Sequence, residues 1–124
     1  MSQWRLITDD DVGGSEGLAL DEALMAAFAR STEDAPPVLR LYTYRDHSAL
    51  CGRYQNLQAE INVAACEGSG TAYNRRPTGG GAIVMGSGQL GVAVATHAPA
   101  AEHPKQMLLR FANGIVAGLA KVGV

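Results

Sequence analysis

Cysteine and aromatic residues are scarce in this chain of 124 residues, and neither sign of charge dominates. Its two cysteines, Cys51 and Cys66, are too few for a disulfide framework and lack the spacing of a metal-binding motif. They predict reduced, buried thiols in a cytoplasmic protein. The net charge of -2 excludes the strongly basic surface that is typical of nucleic-acid-binding domains.

Long hydrophobic runs are also lacking. No segment approaches the roughly 20 apolar residues that a membrane span needs, and residues 1–4 lack the basic and apolar regions of a signal peptide. What the chain does have is 47% hydrophobic and 18% charged residues. This composition predicts a packed core, and the length predicts one domain, or part of one, over residues 1–124.

The most distinctive stretch is residues 74–85, where two arginines, a proline and three glycines precede a short apolar run. The glycines at 79–81 can adopt positive φ and leave no Cβ to block a ligand. Their backbone N–H groups can form a concave anion site, and Arg75 and Arg76 add donors suited to carboxylate or phosphate. The stretch therefore predicts an anion-binding loop, with a tight hairpin turn carrying two solvated arginines as the alternative.

Two other nucleotide-binding motifs are excluded by the residues that follow glycine. No Gly-Lys-Ser or Gly-Lys-Thr follows residues 79–81, so the stretch is not a Walker A loop. Residues 86–91 match G-x-G-x-x-G, but residues 92–96 have strand composition, whereas the dinucleotide motif needs a helix N-terminus there. We interpret residues 86–91 as a glycine turn between two strands.

The remaining patterns predict an α+β fold with a mixed, largely antiparallel sheet flanked by helices, because most strand connections are too short for parallel crossovers. Predicted strands cover residues 4–7, 38–44, 48–51, 82–84 and 92–96. Predicted helices cover residues 15–30, with Ser15 as N-cap, then 60–67 and 105–122, with Gly123 as the C′ residue.

Apolar spacing predicts which helix faces are buried. The face of the first helix carries Leu20, Leu24 and Phe28, and that of the last carries Leu108, Phe111, Ile115, Leu119 and Val122. In the strand at 38–44, alternation places Leu39, Leu41 and Thr43 on one face and Arg40, Tyr42 and Tyr44 on the other.

Titratable residues outside the glycine stretch have simpler interpretations. The three aspartates at 9–11 predict a solvated turn. His47 has no Ser or Cys nucleophile spaced for it, and His97 and His103 have no third ligand nearby in sequence. No metal site is predicted.

Taken together, the motifs resemble the lipoate–protein ligases and octanoyltransferases, relatives of biotin–protein ligase. The specific part is similar to the family's Arg-Arg-x-x-Gly-Gly-Gly-Ala pattern and comprises Arg75, Arg76, Pro77, Thr78, Gly79, Gly80, Gly81 and Ala82. Residues 17–24, 39–42 and 51–56 resemble the family's opening helix and its next blocks. The resemblance covers nearly the whole chain and implies a biotin/lipoate protein ligase-like catalytic core.

This resemblance implies a reaction. Lipoate and ATP, with Mg²⁺, would give lipoyl-adenylate, and the acyl group would pass to a lysine of a lipoyl domain, that of a 2-oxoacid dehydrogenase E2 or the glycine cleavage H protein. Two alternatives remain open: octanoyl or lipoyl transfer without ATP, and a module that binds acyl groups or acyl-adenylates without turning them over.

The resemblance also implies roles for individual residues. Arg76, Thr78 and the backbone of residues 79–82 would hold the anionic end of the acyl species. Arg75 would point toward phosphate or support the loop. The residues at the acyl or thio-ring end would be Tyr42, Gly52 and Gln55.

The chain departs from the family's pattern at two places. Met85 and Gly86 stand where the ligases usually carry a histidine and an acid. The family's catalytic lysine lies downstream of the second long helix, and Lys121 is too early to replace it, so no catalytic residue is assigned; a nucleophilic cysteine would have to be Cys51 or Cys66. We therefore expect the N-terminal part of a catalytic domain: a truncated or proteolysed piece, one half of a two-chain enzyme, or a degenerate member of the family. Without the lysine segment the isolated chain would be inactive, and we expect it to self-associate or to bind a second chain.

Overall fold

The computed structural model describes residues 3–124 and shows two three-stranded sheets together with four helices. The strands are β1 (Arg5–Val12), β2 (Val38–Tyr44), β3 (Ser48–Cys51), β4 (Ala72–Arg75), β5 (Ile83–Met85) and β6 (Leu90–Ala95). The helices are α1 (Gly14–Ala29), α2 (Leu57–Glu60), α3 (Val63–Ser69) and α4 (Pro104–Lys121). None of these helices is long and apolar enough to cross a membrane.

The first sheet has the strand order β1-β2-β6, and the second has the order β4-β3-β5. Each sheet contains one parallel pair, β1 with β2 and β3 with β4, and one antiparallel pair, β2 with β6 and β3 with β5. The parallel pairs arise because α1 connects β1 to β2, and α2 and α3 connect β3 to β4. The predicted α+β class with a mixed sheet is confirmed.

β2 is the central strand of the first sheet, and its bounds are those predicted. Its alternation is also confirmed: Arg40 and Tyr42 are buried, Leu39 and Leu41 are half-buried, and Thr43 is exposed. The face that carries an arginine is thus the more buried one, which requires the charge to be neutralised inside the fold.

Arg40 is neutralised by one carboxylate from each neighbouring element. Its side chain is 1% exposed; Nε donates to Asp9 Oδ2 at 2.7 Å, and Nη1 donates to Asp21 Oδ1 at 2.8 Å and to the Gly17 carbonyl at 3.3 Å. Burial disfavours the charged form, but the hydrogen bonds to Asp9 and Asp21 outweigh it and raise the pKa of Arg40 above its usual value. One guanidinium therefore joins β1, β2 and α1.

This arrangement corrects the prediction for residues 9–11, which lie in β1 and not in a solvated turn. Aspartate is disfavoured in strands. Here the strand is supported by ion pairs from β2 and the turn after it, Asp9 with Arg40 and Asp11 with Arg45 at 3.2 Å. Asp11 adopts φ of 63° at the point where the β1–β2 register shifts.

The start of α1 also differs from the prediction. Gly13 is the N-cap and makes no side-chain cap, whereas Ser15 lies inside the helix and its hydroxyl accepts a hydrogen bond from Asn74 Nδ2 at 2.9 Å. A Cβ at Gly14 would lie 2.3 Å from Ser48 Oγ. The helix backbone thus approaches β3 closely at Gly14, and the described residues place no capping hydroxyl at the start of α1.

The helix predicted at 60–67 is confirmed in part as α3, which begins three residues and ends two residues later than predicted, whereas α2 was not predicted. The side chains of Asn56 and Asn62 each accept a hydrogen bond from a backbone N–H two or three residues later, and each caps one helix. β4 has no counterpart among the predicted strands, since Asn74 and Arg75 have low strand propensity.

The last predicted helix is confirmed as α4, and Gly123 follows it with φ of 85°, as expected of a C′ glycine. Its predicted buried face is wrong. Only Phe111 is half-buried, in edge-to-face contact with Trp4. The other four positions are 37% to 74% exposed: Leu108, Ile115, Leu119 and Val122.

The predicted apolar face of α1 is also partly open. Leu24 and Phe28 are half-buried and Leu20 is 38% exposed. The C-terminal half of α1 and β6 border a groove of about 580 Å³ whose walls carry mainly alanine and larger apolar side chains. Residues 3–124 leave this groove and the α4 face uncovered.

We expect this exposed apolar surface to drive self-association or the binding of a partner chain. Light scattering should give a mass above that of one chain, and an apolar dye should bind. The double variant Leu108→Gln, Leu119→Gln should lower both signals, whereas Lys105→Gln on the same helix should change neither. A monomeric protein that binds no dye would contradict this expectation.

Candidate functional site

The glycine loop, residues 76–82, connects β4 to β5 and rests on the turn that follows β3. We call residues 52–56 the β3 turn. The backbone N–H of Arg53 donates to the Thr78 carbonyl at 2.9 Å, and the N–H of Arg76 donates to the Cys51 carbonyl at 3.0 Å. Because the second sheet positions both ends of the loop, this arrangement is rigidly supported.

Two glycines allow the loop and the turn to approach each other. A Cβ at Gly52 would lie 2.0 Å from the Gly80 carbonyl oxygen. Gly80 itself has φ of 101°, which L side chains rarely adopt. Gln55 closes the turn, since its side-chain oxygen accepts the Gly52 N–H at 2.8 Å. Gly52 and Gln55, both predicted site residues, are thus brought to the glycine loop.

Arg75 stabilises the β3 turn by hydrogen bonds to its backbone. Its Nη1 donates to the carbonyls of Gly52 and Arg53 at 3.1 Å each, and also to the carbonyl of Gln55. Of the two roles predicted for Arg75, these contacts are those of loop support.

Arg76 folds over the glycine loop. Its Nη2 donates to the Gly79 carbonyl at 2.9 Å and to the Gly81 carbonyl at 2.8 Å, and its Nε donates to Gly79 at 3.2 Å. Neither Arg75 nor Arg76 has a carboxylate within salt-bridge distance anywhere in residues 3–124. Both guanidinium charges are therefore uncompensated.

In the glycine loop, backbone carbonyl groups accept hydrogen bonds, whereas backbone N–H groups are free to bind a ligand. The carbonyls of Thr78, Gly79 and Gly81 all accept hydrogen bonds. The N–H groups of residues 79–82 donate to no acceptor in the part of the chain that the structure describes. Four consecutive free donors thus lie beside two uncompensated arginines, a combination that suits an anion.

The sequence around the glycine loop contains few acidic residues that could offset its positive charge. No aspartate or glutamate occurs in residues 47–59 or 68–101, whereas the chain as a whole has net charge -2. The positive character predicted for the glycine stretch is therefore local to the second sheet and its loops.

An apolar cavity adjoins the exit of the loop. It has a volume of about 330 Å³ and lies between β5 and the segment from α2 to α3. Ala82 and Ile83 line its side nearest the loop, and Ile61, Ala65 and Cys66 line the other. Its size and lining suit an apolar chain.

Tyr42 is placed elsewhere, in the buried face of the first sheet. A Cβ at Gly91 would lie 2.4 Å from its ring, and its hydroxyl donates to Asp21 Oδ2 at 3.4 Å. Burial and a hydrogen bond with Tyr44 raise the pKa of the Tyr42 phenol above its usual value. The structure thus groups nine of the ten predicted site residues and gives Tyr42 a position in the core of the other sheet.

Histidines and cysteines take other positions. The ring of His47 packs where a Cβ at Gly86 would stand, His97 shares a hydrogen bond of 2.9 Å with Ser31, and His103 caps α4. Both cysteines are free; Cys51 is fully buried, as predicted, whereas Cys66 is half-buried. Burial makes the Cys51 thiol a poor nucleophile.

Sequence reasoning missed two residues on the β3 turn. Tyr54 is 85% exposed, and its ring lies beside Gly79, where a Cβ would be 3.9 Å from two ring carbons. The guanidinium carbon of Arg53 lies 5.6 Å from the centre of that ring. The signal was present, since both residues lie in the stretch 51–56 noted for its resemblance and in an acid-free segment.

Comparison with known proteins gives a family match over most of the chain. Residues 14–124 match the model described as the lipoyl protein ligase A/B catalytic domain. The chain is 32% identical to octanoyltransferase LipM of Carboxydothermus hydrogenoformans over 130 aligned residues, covering 100% of this chain and 46% of that protein. It is 35% identical to the LipM of Bacillus subtilis over 81 residues, covering 65% of this chain and 28% of that protein.

Solved structures show the same fold. A lipoate-protein ligase A bound with ATP has a TM-score of 0.85 at 27% identity, over 98% of this chain and 47% of that one. The bipartite lipoate protein ligase of Thermoplasma acidophilum has a TM-score of 0.77 at 27% identity, over 91% and 42% of the two chains. The chain spans less than half the length of each of these relatives.

Proposed function

Because the chain belongs to the lipoyl protein ligase A/B catalytic domain family, we propose that it carries the acyl-group site of an enzyme that attaches lipoyl or octanoyl groups to proteins. In this proposal residues 1–124 are the N-terminal part of the catalytic domain. The observation that carries it is the glycine loop, with four free N–H donors at 79–82 next to the uncompensated charges of Arg75 and Arg76.

The proposed reaction is attack by an acceptor lysine amine on the acyl carbonyl carbon. An amide bond forms, the bond from that carbon to the leaving oxygen or sulfur breaks, and the amine releases a proton. The leaving group is AMP from an acyl-adenylate or a thiol from a carrier thioester. Free N–H donors at 79–82 are suited to the negative charge that collects on phosphate or on the acyl oxygen.

Each predicted residue has a place in this proposal. Arg76 shapes the loop and supplies charge, Arg75 and Gly52 hold the loop in position, and Gln55 fixes the turn. The acyl tail has a neighbouring space in the apolar cavity that begins at Ala82. Tyr42 acts on the site only through the packing of the first sheet.

Two acyl donors are supported by different relatives. Relatives named octanoyltransferase favour transfer from an acyl carrier without ATP, and the ATP-bound ligase structure favours lipoate activated by ATP. The paired arginine charges suit the phosphates of ATP. Any Mg²⁺ would arrive with ATP and be held mainly by its phosphates and water; residues 3–124 contain no group of three or more metal-binding side chains. Acyl transfer to a lipoyl domain, assayed with lipoate plus ATP and with octanoyl carrier protein, distinguishes the two routes.

A binding module without turnover is the second candidate function. It is favoured by Met85 and Gly86, which leave the strand after the loop without a titratable side chain. This candidate predicts that acyl-adenylate binds while no acyl group reaches the lipoyl domain under either donor condition.

The first test is Arg76→Ala, which removes one charge and three hydrogen bonds to the loop carbonyls. In a thermal-shift titration, a non-hydrolysable lipoyl-adenylate mimic at a hundred times its dissociation constant should stabilise the parent by about 2.7 kcal/mol. The variant should lose most of this shift, yet its unliganded stability should stay within about 0.5 kcal/mol, because the loop carbonyls are exposed to water.

The matched control is Arg110→Ala, since Arg110 is an exposed arginine in α4 that is paired with Glu102. It should bind the mimic as the parent does. An Arg76→Ala protein that binds with parental affinity, or that unfolds, would remove Arg76 from the proposed site.

A further inference from the structure

The β3 turn presents an exposed aromatic ring and an unpaired cation at the rim of the glycine loop. Tyr54 is the most exposed large hydrophobic side chain in the described residues, at 85%. Its ring stands beside Gly79, with the Arg53 guanidinium next to it. In residues 3–124, neither side chain takes part in a hydrogen bond or an ion pair.

The backbone beneath this pair is fixed. The Arg53 N–H is bonded to the glycine loop at Thr78, and Arg75 bonds the carbonyls on both sides of Tyr54. The two side chains are therefore exposed on a rigid turn, which lowers the ordering cost of any partner that binds them.

The charge around the pair is of one sign. Arg53 has no carboxylate within salt-bridge distance in residues 3–124, and residues 47–59 contain no acid. Tyrosine and arginine are the side chains most enriched in the energetically dominant contacts of protein interfaces. An acidic protein surface is the partner that this combination fits.

Resting on the proposed function, we propose that Arg53 and Tyr54 form a docking contact for an acidic surface of the protein that accepts the acyl group. An acceptor lysine reaches the glycine loop only if the acceptor's surface lies against the rim of that loop, where Tyr54 stands. A ring that is 85% exposed has most of its surface available to a protein and little to a small ligand held in the loop.

The test compares two ligands on the same variants. The double variant Arg53→Gln, Tyr54→Ser should weaken binding of an isolated, net-negative lipoyl domain by at least about tenfold, and the remaining binding should depend less on salt. Binding of the lipoyl-adenylate mimic should change by less than about threefold. The conservative variant Arg53→Lys, Tyr54→Phe should retain most of the affinity for the lipoyl domain.

Arg5→Gln is the charge control, because Arg5 is an exposed arginine on β1 in the other sheet; it should leave both affinities unchanged. Equal losses for both ligands would assign Arg53 and Tyr54 to the small-ligand site and overturn the docking proposal, as would no loss for either. If the parent binds the mimic but no lipoyl domain, the docking proposal fails and the proposed function stands. If the parent binds only the lipoyl domain through these residues, the docking proposal stands and the acyl site fails.

Discussion

Substituting Gly52 by alanine is expected to abolish binding of the lipoyl-adenylate mimic, with a loss of about a hundredfold or more. The added Cβ would lie 2.0 Å from the Gly80 carbonyl oxygen, so the glycine loop must move off the β3 turn. A displacement of about 1 Å at a positioning element costs on the order of a hundredfold in reaction rate, and we expect a loss of similar size in binding. The clash should also lower the free energy of unfolding by about 1–3 kcal/mol, measured by urea denaturation beside the binding titration.

Substitutions at two other glycines serve as controls, because they add a methyl group without the clash with Gly80. Gly68 and Gly81 would each place a Cβ in open space, and neither has positive φ. Gly68→Ala, in α3, should bind the mimic as the parent does. Gly81→Ala should be as stable as the parent but bind more weakly, because its methyl group stands among the free N–H donors. Parental affinity in Gly52→Ala would show that the contact with Gly80 does not position the site.

Replacing Arg40 by methionine is expected to cost about 3 kcal/mol of stability. The change fills the space but leaves the carboxylates of Asp9 and Asp21, 32% and 34% exposed, without their cation. Breaking a buried ion pair by removing one partner costs about 3–5 kcal/mol, and the partial exposure of both carboxylates places this site at the lower end. Urea unfolding followed by circular dichroism measures the loss.

A triple variant provides the control. Adding Asp9→Asn and Asp21→Asn to Arg40→Met removes the uncompensated charges, so part of the lost stability should return. A loss below about 1 kcal/mol in Arg40→Met, or further destabilisation in the triple variant, would mean that the cluster does not hold α1 to the sheet.

The elements that the sequence predicts well are those whose deciding signals lie in their own residues and the turns beside them. The bounds of β2 and β3 match the prediction residue for residue, since both strands end at turn residues and β2 also alternates along its length. The glycine loop was predicted from φ and charge requirements that belong to its own residues. Its resemblance to the family is confirmed, and its anion-binding role stays a prediction.

The errors occurred where a distant residue decides the local structure. The aspartates of β1 lie in a strand because Arg40 binds one of them, and no local pattern reports that contact. Tyr42 is a different case, because its predicted place at the acyl end stays a prediction; it is near Gly52 in sequence, yet the chain changes sheets between β2 and β3. The periodicity of α4 predicts an apolar face but not whether residues 3–124 cover it.

The two sheets differ in how far apart in sequence their paired strands lie. β3, β4 and β5 come from one uninterrupted segment, residues 48–85, whereas β6 joins β2 only after that whole segment has been passed. Closing the longer loop costs more chain entropy, and pairing across it is slow. We therefore expect that the sheet that carries the glycine loop can assemble before the first sheet is complete.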